Sequence, residues 1–252
     1  MSNFENAGAR MPTSAPPPRT WDFWETALVT LIAYGVYTLA SGLALTQILA
    51  LQDGVAKMPP AQLRDFAAQG RWSGAALIIA SPCTIAVLWI AIRAAGRGFS
   101  EYLALNWPSA TETAIGFGVF AGLLVLESII SWYIGADYAP MNGFLIVRSS
   151  GGLLILLIAG CVAGPIMEEF IIRGFLFRGW SQSFPGPIGA IILTSIAWAM
   201  THVQFDFSGK FLIFGMGLAL GYSRWRSNST WLTVMVHSTF NMFLLFTTGP
   251  YV

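Results

Sequence analysis

Seven stretches of this sequence stay apolar for about the length a helix needs to cross a hydrocarbon core, roughly twenty residues. No other feature limits the fold so strongly. They run over residues 24–51, 73–95, 112–134, 152–178, 187–205, 209–224 and 230–248. Hydrophobicity within them is continuous, without alternation of period two, so they read as helices and not as barrel strands. Trp21, Trp24, Trp72, Trp107, Trp132, Tyr133, Trp180, Trp225 and Trp231 cluster at the ends of the runs, where such rings sit at headgroup level. Only 10% of the residues are charged, against about 25% in a soluble domain. The expectation is an all-α, polytopic transmembrane helical bundle of about seven spans.

The segments between the runs set the domain plan and the orientation. Residues 1–20 are polar and end in Pro16-Pro17-Pro18-Arg19-Thr20, a composition that cannot build a core and predicts a disordered tail. Residues 21–252 are expected to form one transmembrane domain. The first run is too long for the core of a cleaved signal peptide. With seven spans, Arg10, Arg19, Arg93, Arg97, Arg173, Arg178, Arg224 and Arg226 fall on one side. Lys57, Arg64, Arg71, Arg148 and Lys210 fall on the other, and eight plus five accounts for all 13. The positive-inside rule then predicts a multi-pass protein of the cell membrane with a cytosolic N-terminus. A net charge of +1 gives no basic stripe for nucleic acid. Cys83 and Cys161 lie in separate apolar runs and read as small buried hydrophobes. Pro59-Pro60, with Gln62, Arg64 and Asp65, predicts a short surface helix, and Pro82 a kink in the second run. Gly116, Gly118 and Gly122 offer a small-residue packing face, within one molecule or between two, so the oligomeric state is open.

Against this apolar background four ionisable groups are conspicuous. Glu168 and Glu169 sit inside the fourth run, His202 and His237 inside later ones, and the chain has no other histidine. Ionisable groups at such depth are costly and mark a functional site by default. Glu127 in the third run reads as a structural partner to a polar group on a neighbouring helix. Glu169 and Arg173 are spaced i,i+4 and can pair on one helix face. Glu168 points about 100° away from Glu169 and is left for chemistry. Pro165 deprives the Cys161 carbonyl of its donor, so the helix is expected to loosen just before the acids. Taking Pro185 as the turn, Glu168 (185 − 168 = 17) and His202 (202 − 185 = 17) lie at matching depth. His237 comes ten residues after Ser227, about 15 Å from the same face at the helical rise. Trp198 with His202, and His237 with Asn241, are again i,i+4 pairs.

Residue chemistry alone leaves several readings open. Two histidines and two glutamates can hold Zn²⁺, although no His-Glu-x-x-His helix is present. Buried acids and histidines also suit proton-coupled transport, but residues 24–134 hold no counterpart set of the kind inverted repeats supply. A catalytically silent membrane scaffold or immunity protein is the third class.

At these residues the sequence resembles a known family. Glu168-Glu169-x-x-x-Arg173, Trp198-x-x-x-His202 and His237-x-x-x-Asn241 follow, in order, the three motifs of the CPBP family of intramembrane glutamate proteases. That family includes CAAX-processing Rce1-type enzymes and bacterial Abi relatives. The family usually has phenylalanine where this chain has Trp198, and it often has eight helices, so an eighth span is allowed. The resemblance implies a protease domain with its motif-bearing core over 152–248, and hydrolysis of peptide bonds without a covalent intermediate or a metal cofactor. It implies that Glu168 and His202 activate water, that His237 and Asn241 stabilise the oxyanion, and that Glu169, Arg173 and Trp198 orient the site. The substrates it implies are membrane-associated peptides or proteins, lipidated ones among them. A zinc-dependent protease built on the same residues is the nearest alternative.

Overall fold

The computed structural model describes residues 20–134 and 152–247. The expected tail, except Thr20, lies outside that range, as do Arg148 and the last residue of the seventh run. Among the described residues the chain is helical and contains no strand. The helices are α1 (Phe23–Ala50), α2 (Pro60–Ala67), α3 (Gly70–Ala94), α4 (Phe99–Tyr102), α5 (Ala110–Ile134), α6 (Leu153–Ser181), α7 (Gly186–Thr201), α8 (Phe207–Ser227) and α9 (Thr230–Thr247). Four segments are long and apolar enough to cross a membrane: α1, α3, α5 over Ala110–Ile130, and α6. Helix α7 and the Thr230–Phe246 part of α9 are apolar but shorter. The helical membrane bundle is therefore as expected, while its spans are less uniform than seven equal runs suggest. Helix α2 stands where the short surface helix was predicted, and α3 continues through Pro82.

Helix ends are fixed by local chemistry. Asp22 caps α1 by accepting from the Glu25 N–H at 2.9 Å, and the Glu25 carboxylate accepts from the Asp22 N–H at 3.1 Å. This reciprocal box satisfies two of the donors a helix start leaves orphaned. The Asp206 carboxylate caps α8 by accepting from the Gly209 N–H at 2.8 Å. Helix α9 starts against the turn after α4: the Thr230 N–H donates to the Ala104 carbonyl at 2.9 Å, and its hydroxyl donates to that of Leu103.

Helix α6 is the axis of the bundle. Every residue from Phe170 to Leu176 is buried, while Leu31 on α1, Ile129 on α5 and Ile188 on α7 keep more than half of their surface exposed. Apolar side chains facing outward are what a lipid solvent requires, because outward burial in hydrocarbon replaces burial in a core. The interior gathers Leu88 and Ile92 of α3, Tyr102 of α4, Met167, Ile171 and Phe175 of α6, Trp198 of α7, Leu220 of α8 and Leu232 of α9.

Two segments of α6, Ala159–Ala163 and Phe170–Leu176, are wound as π-helix. Sequence explains the first. The Gly164 N–H bonds to the Ala159 carbonyl, five residues back, so it no longer serves Gly160. The next donor in register would be residue 165, a proline, which has no N–H. The loosening expected near Pro165 thus takes the form of a π-bulge, and it strips the Gly160 carbonyl of any partner within the helix.

Small residues let neighbouring helices close on α6 and α8. A Cβ on Gly179 would meet the Thr26 hydroxyl at 2.0 Å, and one on Gly217 would meet the Ser195 Cβ at 2.8 Å. Of the three glycines proposed as a packing face on α5, Gly116 packs on Leu232 of α9. Gly118 and Gly122 have nothing within 4 Å of a Cβ. Cys83 is exposed, Cys161 is buried, and neither forms a disulfide.

Candidate active site

The two adjacent acids have different environments. Glu169 is fully buried, and its Oε1 accepts from Arg173 Nη1 at 3.1 Å and from His237 Nδ1 at 2.9 Å. Arg173 is equally buried, and its guanidinium carbon stands 4.4 Å from the centre of the Trp198 ring. A fully desolvated carboxylate needs this degree of pairing. Glu168 is only half-buried, and its Oε2 accepts from the Trp198 indole N–H at 2.7 Å. One turn of α6 therefore holds one carboxylate locked in an ion-pair network and one presented by a single strong donor.

Trp198 is the hub. Its ring meets His202 edge-on at 5.1 Å and His237 edge-on at 5.2 Å, and it is 3% exposed. The depth arithmetic placed His202 level with Glu168, inside a helix. In the structure Trp198, one turn earlier, meets Glu168, and His202 is the residue that caps the end of α7. The physical reason is the turn after Thr201, where the chain leaves the helical path and the Phe205 N–H bonds back to the His202 carbonyl. His202 Nδ1 lies 2.9 Å from the Trp198 carbonyl. A carbonyl can only accept, so Nδ1 carries the hydrogen of this bond and Nε2 is the ring nitrogen left for another partner.

Asn241 sits one turn after His237 on α9 and donates from Nδ2 to the Gly160 carbonyl at 2.7 Å. That is the carbonyl orphaned by the π-bulge and Pro165. The carboxamide nitrogen carries two hydrogens, so one remains for another acceptor.

Glu127, read as a structural partner, brings Oε1 against Gly215 of α8, 3.2 Å from where a Cβ would stand. Among the described residues, no three His, Cys, Asp or Glu side chains converge in a way that could hold a metal ion.

Two tyrosines of α1 had no signal in the sequence, since neither belongs to a motif. Tyr34 and Tyr37 both pack against the buried core that includes Phe170 and Trp198. They reach it because α1 docks against the second π segment of α6.

No curated protein and no solved structure matches this chain. Residues 150–243 match the family model described as type II CAAX prenyl endopeptidase Rce1-like, and that stretch holds Glu168, Glu169, Arg173, Trp198, His202, His237 and Asn241. Over residues 150–243 the chain is therefore similar to the Rce1-like domain of CAAX proteases, a similarity that indicates a membrane protein of the peptidase class of hydrolases.

Proposed function

We propose that this protein is a metal-free intramembrane endopeptidase in which Glu168 activates the water that attacks the scissile carbonyl. The observation carrying this reading is the division of labour between the acids. Glu169 is spent on Arg173 and His237, whereas Glu168 is half-buried and oriented by one indole donor. A carboxylate held in place with a free face is what a general base requires.

The reaction balances with these residues. Glu168, assisted by Nε2 of His202, takes a proton from water as the water oxygen bonds to the carbonyl carbon. The carbonyl π pair moves onto its oxygen. His237, whose Nδ1 is fixed by Glu169, and the second N–H of Asn241 face that oxyanion and stabilise it. Collapse restores the carbonyl, breaks the C–N bond and passes the proton from Glu168 to the leaving amine. Arg173 keeps Glu169 ionised in place, and Trp198 fixes the direction of Glu168. The substrates are membrane-associated peptides. The family description, a prenyl endopeptidase, favours lipidated ones, cut from the cytosolic side.

The test is proteolysis in liposomes with matched lipidated and unlipidated peptides, each with and without a chelator, comparing wild type with Glu168→Gln. The expected result is chelator-resistant cleavage, faster on the lipidated peptide. The glutamine variant should be slower by about 10²–10⁴-fold, the usual contribution of a general base. Cleavage abolished by chelation and restored by Zn²⁺ would instead establish a metalloprotease.

A further inference from the structure

Each π segment of α6 leaves one carbonyl without a partner in its own helix, and each time a side chain from another helix supplies the donor. At the first, Asn241 of α9 serves Gly160. At the second, the Phe177 N–H bonds to the Ile172 carbonyl, five residues back, so it no longer serves Arg173. A bond from the Arg178 N–H would carry the wide winding on to Phe177, but it stops at Leu176. The Arg173 carbonyl is taken instead by Nε of Arg224, on α8, at 3.0 Å.

Arg224 is 4% exposed. A buried guanidinium calls for an acid, yet among the described residues no carboxylate pairs with it. Its Nη1 donates to the Asn228 carboxamide oxygen at 3.0 Å, and its guanidinium carbon stands 5.4 Å from the centre of the Phe177 ring. The charge is thus spent on a main-chain carbonyl of α6 and on the end of its own helix. Seven residues earlier on α8 (224 − 217), and so on the same face, the Gly217 carbonyl accepts from Arg173 Nη2 at 3.5 Å. Helix α8 therefore holds Arg173 twice, by its main chain and by its side chain. The neighbouring Gly174 admits Leu103, whose Cδ2 would lie 2.9 Å from an added Cβ, so the bulge is packed as well as bonded.

The bulge matters to the site because one extra residue in a turn rotates everything beyond it by about 100°. Glu168 and Glu169 lie before it, directed at Trp198 and His237. Gly179 and Trp180 lie after it, directed at Thr26 and Phe23 of α1. Both sets of contacts are met together only with the bulge between them. We propose that Arg224 is a positioning residue for the reaction: by holding the Arg173 carbonyl it fixes the second π-bulge, and with it the direction of the two acids. This rests on the reading of Glu168 as the base. Arg224 acts through Arg173, so its effect falls on kcat and not on KM.

Arg224→Met keeps a long side chain and removes its donors. Its kcat should fall by about 10- to 100-fold, the order that a misplacement of about 1 Å costs, with KM within about twofold. Arg224→Lys retains a donor with the reach for one carbonyl and should recover kcat to within about fivefold of wild type. Asn228→Gly deletes the other partner of Arg224 and suits the left-handed backbone there, φ 48°, so kcat should stay within about twofold. Each variant disturbs buried polar pairing and lowers Tm, so the rate per folded molecule decides. A merely structural arginine would lower Tm and leave kcat unchanged. An unchanged kcat in Arg224→Met, no recovery in Arg224→Lys, or an equal loss in Asn228→Gly overturns the proposal. If Arg224→Met does not fold, Arg224→Gln, whose shorter side chain stops before the carbonyl, takes its place with the same expectation. Glu168→Gln is run on the same peptide. If that variant retains cleavage, the reading of Glu168 fails and the role of Arg224 with it. If it is inactive while Arg224→Met cleaves at the wild-type rate, the role of Arg224 alone fails.

Discussion

Trp198 shows how much one side chain decides at this site. Its indole N–H reaches Glu168 at 2.7 Å, its ring covers Arg173, and both histidines meet its edges. Phenylalanine, the usual residue at this position in the family the sequence resembles, keeps a ring but has no donor. Trp198→Phe is therefore expected to leave KM near wild type and to lower kcat about tenfold. A factor of ten corresponds to about 1.4 kcal/mol, close to the lower end of the range for a hydrogen bond to a charged group. Steady-state kinetics on a cleaved peptide decide it, and an unchanged kcat would remove the orienting role of the indole. Glu169→Ala should behave differently. It leaves Arg173 buried without its acid, and breaking a buried pair costs about 3–5 kcal/mol. The expected outcome is a loss of folded protein in detergent, seen as a fall in Tm, before any question of rate arises.

Among elements, the packing of α1 on α6 is the least forgiving contact. A methyl group on Gly179 would lie 2.0 Å from Thr26 Oγ1 and 2.6 Å from its Cγ2. Gly179→Ala should therefore destabilise by about 1–3 kcal/mol, the usual cost of overpacking. Adding Thr26→Gly, which clears the opposing side chain, should recover part of the loss. Thermal unfolding of both variants tests this, and additive losses without recovery would mean that the helices do not close there. This contact also marks where sequence reading stops. The acids, the histidines and their i,i+4 partners were legible because cost in hydrocarbon and helical spacing are local properties. The division between Glu168 and Glu169 was legible too, from 100° of rotation. The place of Tyr34 in the core was not, since one tyrosine in an apolar helix has no partner at helical spacing to point it out. Its environment comes from another helix over 130 residues away. The bulge at Ala159–Ala163 was half legible: Pro165 announced a loosening, but the choice of Gly160 as the freed carbonyl depends on the Gly164 N–H reaching back five residues. The end of α7 at Thr201, with His202 as its cap, was not legible either, because a helix end inside an apolar run carries no composition signal.

At the scale of the whole molecule, Glu101 joins the region before the matched domain to its central helix. Its carboxylate takes Arg97 Nη2 at 2.7 Å and Nε at 3.1 Å, and Arg178 Nη2 of α6 at 2.8 Å. These bonds, from Arg97 first, hold the Glu101 carboxyl below its ordinary value of 4.5. A carboxyl depressed in the folded state binds its proton more readily in the unfolded chain. Its stabilisation is therefore complete above the unfolded value and drains away as pH falls through the folded one. The Tm in detergent should be level near neutrality and begin to fall below about pH 4.5, and Glu101→Gln should flatten that limb. The amplitude is small, at most about 1 kcal/mol, because the Glu101 side chain is 54% exposed and water screens the pair. Protonation also spares part of the joint. Arg178 Nη1 donates to the backbone carbonyls of Glu101 at 2.8 Å and Tyr102 at 3.1 Å, and neither titrates. Arg178→Lys, which cannot span both carbonyls and the carboxylate with one planar fork, should consequently cost more at neutral pH than Glu101→Gln does. Equal losses in the two variants would mean that the carboxylate alone fastens α4 to α6. A larger loss for Arg178 would mean that the backbone carbonyls carry the joint and hold the outer end of α6 at any pH.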